Sequence, residues 1–468
     1  MVVQATKLIL PRSSLSPRQV SSLLFEPHSL SLALMHPDSS FSLLPCLSPL
    51  SVPPPPPPLP TFISPPSSAA SFLLVRSQNP NHNGNPRVLF FVAGPLEGGV
   101  STLLRFWILN EQARVFSKAR VMCSQSNLRS EDGLGVVLKA RHGVSIKLSG
   151  STNYFALYSC SDLKIWIFAV KTAGEHDDGD GVFFKLMKCA VVECSLPVWS
   201  ITLSFGLMIL GEENGVRVLP LRPLVKGWVK KPRPESKSSR SDRENVKGAG
   251  VPKLPNGVVQ VTGETNVLRL NYIPGGDRGC SEKKGDSAGF SVKFRTLKLG
   301  QNLRQGNSYF VAFKRKEVGS SNFAASPISE RAISIQALSV NKYLVLDSVG
   351  NLHFFCLSNP TSQPEPTFQM IQLAHSIKVR KLAAFADSST KNQTIWVSDG
   401  LYSVHIMTLS DSEISNSETE TSESKEGHML TSVSQMIFAS ERIQDIIPLA
   451  ADAIMILGHG DISVYALS

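Results

Sequence analysis

Residues Arg331 to Ser358 read RAISIQALSVNKYLVLDSVGNLHFFCLS. The stretch predicts three short strands, ISIQAL, YLVLDS and NLHFFCL, because each run is rich in Val, Ile, Leu and Phe and is bounded by polar or glycine-containing turn residues. Asp347 to Asn351 predict the tight turn between the second and third strands, since Asp, Gly and Asn tolerate the positive φ that hairpin turns require. FQMIQLA, which begins at Phe368, supplies a fourth strand.

The same pattern recurs along the chain, and seven such units can be counted. The opening strands of the other six units are SSLLFEP, SFLLVRS, GVSIKLSG, VWSITLS, VRKLAAFA and IQDIIPLA. This recurrence predicts an all-β fold, a single β-propeller over residues 1–468 whose four-stranded blades surround a central channel. We expect seven blades, and eight is the alternative, because the interval from Arg222 to Glu330 is about twice too long.

The two ends of the chain complement each other. The last unit stops after its third strand at Leu467, whereas Val2 to Leu10 is a strand-like run with no unit of its own. A closed propeller leaves no unpaired strand edge, so we favour a ring that this N-terminal strand closes, in the cytoplasm or nucleus. The competing interpretation is a cleaved organellar transit peptide, because the first 25 residues hold basic residues and many serines but no acid.

Two strands resemble those of a known family. LKIWIF (Leu163 to Phe168) and LRFWIL (Leu104 to Leu109) look like the third strand of WD40 repeats. The chain lacks the Trp-Asp dipeptide at the end of that strand, and its turns are spaced more widely than the roughly 40 to 45 residues of the family. The resemblance is therefore to the fold, and the family's internal hydrogen-bond network is not carried over. It implies a non-catalytic platform for protein assembly.

The composition is that of a globular protein. Hydrophobic residues make up 42% of the chain and charged residues 18%, and part of the net charge of +10 is concentrated in one segment. The seven cysteines form no CxxC motif, which indicates a reducing compartment. The longest apolar run, Leu196 to Leu210, is shorter than the roughly 18 to 20 residues that span a bilayer, so we expect strands and no membrane partner.

A proline-rich segment, residues 51–69, separates the first two units and contains six consecutive prolines, Pro53–Pro58. Proline fixes φ and has no N–H for a strand ladder, so the segment predicts an extended inter-blade loop. Docking of an SH3, WW or profilin-like partner on these prolines is the alternative.

A basic segment, residues 226–255, is predicted to be a disordered linker, because a Ser-, Pro- and Lys-rich stretch cannot bury enough apolar surface to fold. Its cations form a candidate contact patch that comprises Lys226, Lys230, Lys231, Arg233, Lys237, Arg240, Arg243 and Lys247. Residues 256–330 then contain strand-like runs, which are either inserted strands or a divergent extra blade.

An acidic segment, residues 410–428, is rich in Ser and Thr and is predicted to be a disordered loop. Ser410, Ser415 and Ser417 each have Glu three residues further on, the spacing that acidophilic kinases prefer. These serines are therefore candidate phosphorylation sites.

The sequence offers no recognisable chemistry. It contains no GxxxxGK[ST], no GxGxxG after a strand and no HExxH, and strand histidines such as His353 are expected to be structural. We therefore predict no catalytic, cofactor-binding or metal-binding residues. The leading hypothesis is a non-catalytic scaffold that binds other proteins. A nucleic-acid-associated propeller that uses the basic segment is the alternative, and a propeller enzyme with a site at the channel mouth is a weaker third.

Overall fold

The structure is a computed structural model. It describes residues 3–8, 20–47, 59–76, 85–123, 125, 128–131, 134–175, 182–225, 295–300, 304–305, 308–313, 329–358, 367–386, 392–410 and 431–467. All of these belong to one compact unit, formed from Met1–Trp228 and Lys293–Ser468. Within them no helix is long and apolar enough to cross a membrane.

The strands follow one another in seven groups, and β1 (Val3–Lys7) precedes the first group. Blade 1 contains β2 (Ser22–Glu26), β3 (Ser31–Met35), β4 (Phe41–Leu44) and β5 (Thr61–Ile63). Blade 2 contains β6 (Ala69–Val75), β7 (Arg87–Leu96) and β8 (Ser101–Asn110), with a 3₁₀ turn at Glu97–Gly99. Four short strands follow: β9 (Val115–Lys118), β10 (Arg120–Cys123), β11 (Leu128–Glu131) and β12 (Gly135–Leu138).

Blade 3 contains β13 (Ile146–Gly150), β14 (Tyr154–Ser159), β15 (Lys164–Glu175) and β16 (Val182–Cys194). Blade 4 opens with β17 (Ser200–Ser204), β18 (Leu207–Glu212) and β19 (Gly215–Pro220). After it come the short helix α1 (Leu221–Val225) and the strands β20 (Arg295–Leu299), β21 (Arg304–Gln305) and β22 (Ser308–Ala312).

Blade 5 contains β23 (Ala332–Ser339), β24 (Lys342–Asp347), β25 (Leu352–Ser358) and β26 (Thr367–Gln372). Blade 6 contains β27 (Lys381–Ala384), β28 (Asn392–Ser398), β29 (Ser403–Ser410) and β30 (Thr431–Phe438). Blade 7 contains β31 (Asp445–Ala450), β32 (Ala453–Leu457) and β33 (Ile462–Leu467).

The blades form a closed ring. Within each blade, consecutive strands are hydrogen-bonded neighbours in one sheet, and β9 and β12 share the fourth position of blade 2. The first strands of successive blades contact one another in the order β2, β6, β13, β17, β23, β27, β31 and back to β2. A ring of sheets with its first strands innermost is a β-propeller. The predicted all-β, seven-bladed fold is confirmed, and the described residues form no eighth sheet.

The N-terminal strand completes blade 7. β1 pairs antiparallel with β33, with Val3 opposite Leu467 and Lys7 opposite Ser463. Lys7 Nζ also lies 2.5 Å from Asp461 Oδ2. The predicted closure of the ring by this strand is therefore confirmed, whereas the subcellular location stays a prediction.

The core is divided among the interfaces between blades. Seven clusters of buried side chains fill the seven interfaces between neighbouring blades. In β24, Tyr343 and Val345 pack against blade 4, whereas Leu344 and Leu346 pack against blade 6. Because side chains alternate along a strand, a strand between two blades is buried on both faces. The sequence of such a strand is therefore a continuous apolar run.

The described part of the proline-rich segment contains a strand. Residues 51–69 include β5, which pairs with β4 as the fourth strand of blade 1, so the predicted loop is corrected there. Without this short strand, the backbone N–H and C=O groups along the outer edge of β4 would lack partners. Arg105 Nη2 then fixes the following residues by donating to Ser64 O at 2.8 Å, to Pro66 O at 2.8 Å and to Ser67 Oγ at 2.6 Å.

The described part of residues 256–330 extends two existing blades. β22 pairs antiparallel with β19 and is the fourth strand of blade 4. β20 pairs parallel with the outer edge of β16 in blade 3. The earlier strand-like runs, GVVQVTG and NVLRLNYI, lie outside the described residues.

The outer edge of β16 is covered along its length. β10 pairs parallel with its first half, from Phe183 to Leu186, and β20 pairs with its second half, from Ala190 to Cys194. Between them the amide side chain of Gln125 takes the place of a strand. Lys188 N donates to Gln125 Oε1 at 2.6 Å, and Gln125 Nε2 donates to Lys188 O at 3.0 Å. The long edge is thereby protected from pairing with another chain.

Candidate functional site

Most residues that the sequence singled out lie outside the described part of the chain. This holds for the eight cations from Lys226 to Lys247, for Ser415 and Ser417, and for Pro53–Pro58. Ser410 is the last residue of β29, where it lies opposite Asn392, so the first residue of the predicted acidic loop is a strand residue. The roles proposed for all these residues stay predictions.

The candidate site lies on one end of the ring, which we call the upper face. This end carries the turns between the second and third strands of each blade. It also carries the connections from the fourth strand of one blade to the first strand of the next, because antiparallel strands reverse direction at each turn. Loops held by rigid blades are where binding residues concentrate.

A cleft of about 320 Å³ opens on the upper face of blade 6. Three separate segments form it: the connection before β27, the turn between β28 and β29, and the connection before β31. The lining residues are Ile377, Lys378, Arg380, Asp399, Leu401 and Arg442.

Backbone hydrogen bonds hold these segments together. Arg380 N donates to Ser398 O at 2.8 Å, which ties the first connection to the end of β28. Ile443 N donates to Leu401 O at 2.7 Å, which ties the second connection to the turn. Main-chain hydrogen bonds therefore hold the segments that carry the lining residues, and Arg442 Nε adds a side-chain bond to Gly400 O at 3.4 Å.

The cleft carries excess positive charge. Lys378, Arg380 and Arg442 are exposed cations, and among the described residues none of them forms an ion pair. Among the described lining residues the one carboxylate is Asp399, whose Oδ1 accepts a hydrogen bond from Leu401 N at 2.8 Å. Three cations against one acid leave a net charge of +2, which favours an anionic ligand group.

A row of exposed apolar side chains continues from the cleft to the outer strand of blade 6. In the register of β29 and β30, Ser403 lies opposite Phe438, and Ala439 N donates to Tyr402 O at 2.8 Å. We call this row the blade-6 track; it comprises Leu401 (49% exposed), Tyr402 (55%), Met436 (45%) and Phe438 (72%). Single exposed apolar residues are common, but several side by side mark an interaction surface.

A second cluster lies beneath the upper face of blade 5. Ligand atoms of Glu330, Asp347 and His353 lie within 4.8 Å of one another, which is the grouping of a metal site. Asp347 and His353 are fully buried, and Phe313 stacks on the imidazole with ring centroids 4.0 Å apart. Among the described residues, His353 Nδ1 has no hydrogen-bond partner.

The carboxylate of Asp347 is already saturated with donors. Oδ1 accepts the backbone N–H groups of Val349, Gly350 and Asn351 at 2.8 to 2.9 Å. Oδ2 accepts Asn351 Nδ2 at 2.9 Å and His353 Nε2 at 2.9 Å. A carboxylate has about four lone-pair positions, and all are in use. We infer that the cluster holds the turn and that a metal ion would have to break it.

The same contacts determine the ionisation of Asp347. Burial would raise its pKa, but the hydrogen bonds from His353 and Asn351 outweigh burial and hold the pKa below its ordinary value. Gly350 completes the turn with φ of 100°, and a Cβ there would lie 2.7 Å from Lys378 Cγ. The predicted turn from Asp347 to Asn351 is therefore confirmed.

A buried ion pair lies in blade 4. Arg217 Nε donates to Glu212 Oε1 at 2.6 Å, and Nη2 donates to Oε2 at 3.0 Å. The guanidinium also lies over the ring of Phe310, 5.2 Å from its centroid. Both charges are paired and closed off from solvent, which is the arrangement of a structural contact rather than of a reactive group.

Four of the six described cysteines are poor candidates for a reactive thiolate. All six are free thiols. Burial raises the pKa of Cys123 to about 11 and that of Cys194 to about 12, and it also raises the pKa of Cys46 and Cys189. Thiols with raised pKa values stay protonated near neutral pH and behave as small apolar groups.

Sequence reasoning missed the cleft. Lys378 and Arg380 lie in one connection and Arg442 in another, and nothing in their spacing marks them as neighbours. The connections before β27 and β31 come together at the turn between β28 and β29 only when the ring forms. The apolar residues Leu401 and Tyr402 gave a signal, since they directly follow Asp399 and Gly400, residue types that favour turns.

Comparison with known proteins adds a fold-level likeness. No protein-family model matches this chain, and no curated protein sequence matches it. Among solved structures it is similar to the β-propeller domain of Myceliophteria thermophila Cps50 (Swd1), with 8% identity over 100% of both chains and a TM-score of 0.44. The seven-blade ring itself carries the assignment. The fold is a seven-bladed β-propeller.

Proposed function

We propose that this protein is a non-catalytic propeller scaffold that binds other proteins, and that the upper face of blade 6 is one of its binding surfaces. The observation that carries the proposal is the blade-6 track beside the cationic cleft. Apolar side chains surrounded by charged groups are the usual composition of a protein-binding patch.

The rigidity of the site supports a binding role. The connections that form the cleft are tied to blade 6 by backbone bonds, such as that from Ile443 N to Leu401 O. A preformed surface loses little conformational entropy when a partner binds.

The buried clusters support a non-catalytic role. The Asp347 carboxylate has no free lone pair, and Arg217 and Glu212 satisfy each other. Catalysis requires a nucleophile, a base and an orienting group that converge on an accessible point. Among the described residues we find no such convergence in these clusters.

The nucleic-acid hypothesis rests on residues 226–247 of the basic segment and stays separate from blade 6. If that segment neutralises phosphates, binding of an oligonucleotide should weaken steeply with salt. A flat salt titration would exclude it.

We further propose a location in the cytoplasm or nucleus, which the use of β1 as a strand of blade 7 supports. The test is to sequence the N-terminus of protein isolated from its own cells. A mature start beyond Leu10 would contradict this location.

The binding role is tested by comparing partners of the tagged protein with those of the double variant Leu401→Asp/Phe438→Asp, purified from native cells. Val144→Asp is the matched control, because Val144 is 93% exposed on a different blade. We expect the control to retain partners that the double variant loses, and each such partner to bind the purified protein directly. An unchanged partner set in the folded double variant would overturn the proposal.

A further inference from the structure

We propose that the upper face of blade 6 binds an extended acidic peptide, whose carboxylates enter the cleft and whose large apolar side chain packs at the outer end of the blade-6 track. This inference rests on the proposed function, since it names the chemistry of the partner at that same surface.

The positive charge of the cleft favours a peptide that carries carboxylates. Arg380 and Arg442 can each present two parallel N–H donors, the geometry that matches a carboxylate. Lys378 adds a third cation, and no ion pair within the described chain competes for any of them. Asp399 already accepts the N–H of Leu401, and it disfavours a ligand with negative charge along its whole length.

The width of the blade sets the spacing within the peptide. The cleft lies beside the start of β27, the first strand of blade 6, whereas Phe438 ends β30, the fourth strand. Neighbouring strands lie about 4.8 Å apart, so three steps span about 14 Å. An extended peptide advances about 3.3 Å per residue, and its acidic and apolar residues should therefore be about four positions apart.

The track favours a peptide over a nucleic acid. Leu401 and Met436 are aliphatic and half-exposed, so they complement apolar side chains rather than a regular row of phosphates. A nucleic acid would also place phosphates next to Asp399 without gaining from the outer end of the track. The surface thus combines one cationic anchor with one apolar anchor.

The first experiment selects binders from a display library of random twelve-residue peptides on the purified full-length protein. We expect enrichment of peptides with two or more Asp or Glu residues and with Phe, Trp or Leu three to five positions away. A parallel selection on the variant Arg380→Glu/Arg442→Glu should lose the acidic preference. No acidic enrichment on the parent, or the same peptides on both proteins, would overturn the inference.

The second experiment measures affinity for one enriched peptide by fluorescence anisotropy. Arg380→Glu and Arg442→Glu should each weaken binding about tenfold, and Phe438→Ala should weaken it by a similar factor. Lys139→Glu is the matched control, since it reverses an exposed cation outside blade 6 and should leave affinity unchanged. Equal weakening by the control would overturn the inference.

A competition arm distinguishes the two kinds of anion. A twenty-residue oligothymidylate should fail to displace the labelled peptide at concentrations where unlabelled peptide succeeds. Displacement by the oligonucleotide at lower concentration would assign the surface to nucleic acid and overturn the inference. If Leu401→Asp/Phe438→Asp loses cellular partners while no acidic preference appears, only this inference fails and the scaffold function stands.

Discussion

Asp347 stabilises blade 5 because its side chain accepts hydrogen bonds from the residues of the following turn. Its Oδ1 accepts three backbone N–H groups, and its Oδ2 accepts Asn351 and His353. A buried carboxylate is stable only when it is fully hydrogen-bonded, and removing it would leave several buried donors without partners. The turn next to the cleft therefore depends on a single ionised group.

Replacing Asp347→Asn should lower the free energy of unfolding at pH 7 by about 2 to 4 kcal/mol, because buried donors lose their charged acceptor. The pKa of Asp347 is depressed in the folded protein, so the stability that its charge adds is present above its unfolded pKa, near 3.8, and is lost as pH falls through the lower folded value. Urea unfolding at several pH values should show a constant difference from pH 7 to about 5 that shrinks below about 4.

The control for this substitution is Asp452→Asn, at an exposed position in the turn between β31 and β32. It should change the free energy of unfolding by less than about 0.5 kcal/mol. A difference between Asp347→Asn and the parent that grows below pH 4 would contradict the assigned role.

At the scale of single elements, strand edges explain several of the irregular features. β16 is the longest strand, and its outer edge is covered by β10, by the side chain of Gln125 and by β20. Gln125 bonds both backbone groups of Lys188 on this edge, in the interval between β10 and β20.

Replacing Gln125→Ala should expose the backbone of Lys188. We expect a loss of about 1 to 2 kcal/mol in the free energy of unfolding, since one donor and one acceptor lose their partners. Hydrogen exchange followed by NMR should show faster exchange of the Lys188 amide, with exchange at Lys185, within the β10 pairing, unchanged as the internal control. Unaltered exchange at Lys188 would mean that the Gln125 side chain does not protect this amide.

The strand β1 locks the ring. Removing residues 1–7 would leave the edge of β33 unpaired, from Ile462 to Leu467. We expect a loss that is a large share of the roughly 5 to 15 kcal/mol that stabilises a typical domain, measured by thermal unfolding. A synthetic peptide of residues 1–12 added in trans should restore part of it.

Lys7→Ala is the control for this truncation, because it removes only the contact with Asp461 and keeps the strand. Both side chains are substantially exposed, so the change should cost less than about 1 kcal/mol. A truncated protein as stable as this variant would mean that β1 contributes little to closure.

The inner three strands of the blades could be predicted because both of their faces are buried. Tyr343 to Leu346 alternate between two interfaces, so every residue is apolar and the run stands out in the sequence. The outer strands were harder, since they are short or partly exposed. β5 has three residues, and in β30 Met436 and Phe438 face solvent. The cleft could not be predicted, because Arg380 and Arg442 become neighbours only when the ring forms.

At the scale of the whole molecule, the two ends of the chain lie next to each other in blade 7. Val3 lies opposite Leu467, so the two termini meet within one blade. Each interface between blades has its own buried cluster, and the interface between blades 7 and 1 is filled like the others. The ring is held by these interfaces, and the position of the chain break should matter only where it cuts a structured turn.

Circular permutants test whether the position of the chain break matters. Joining Ser468 to Met1 through a short Gly-Ser linker and opening the chain between Ser417 and Glu418, in the predicted acidic loop, should leave the midpoint of thermal unfolding within a few degrees of the parent, because breaks in flexible surface loops are tolerated. A second permutant with the same linker, opened between Val349 and Gly350, cuts the turn that Asp347 organises, and it should unfold at a clearly lower temperature. Equal destabilisation of the two permutants would show that the acidic segment is part of the folded ring and would contradict its assignment as a loop.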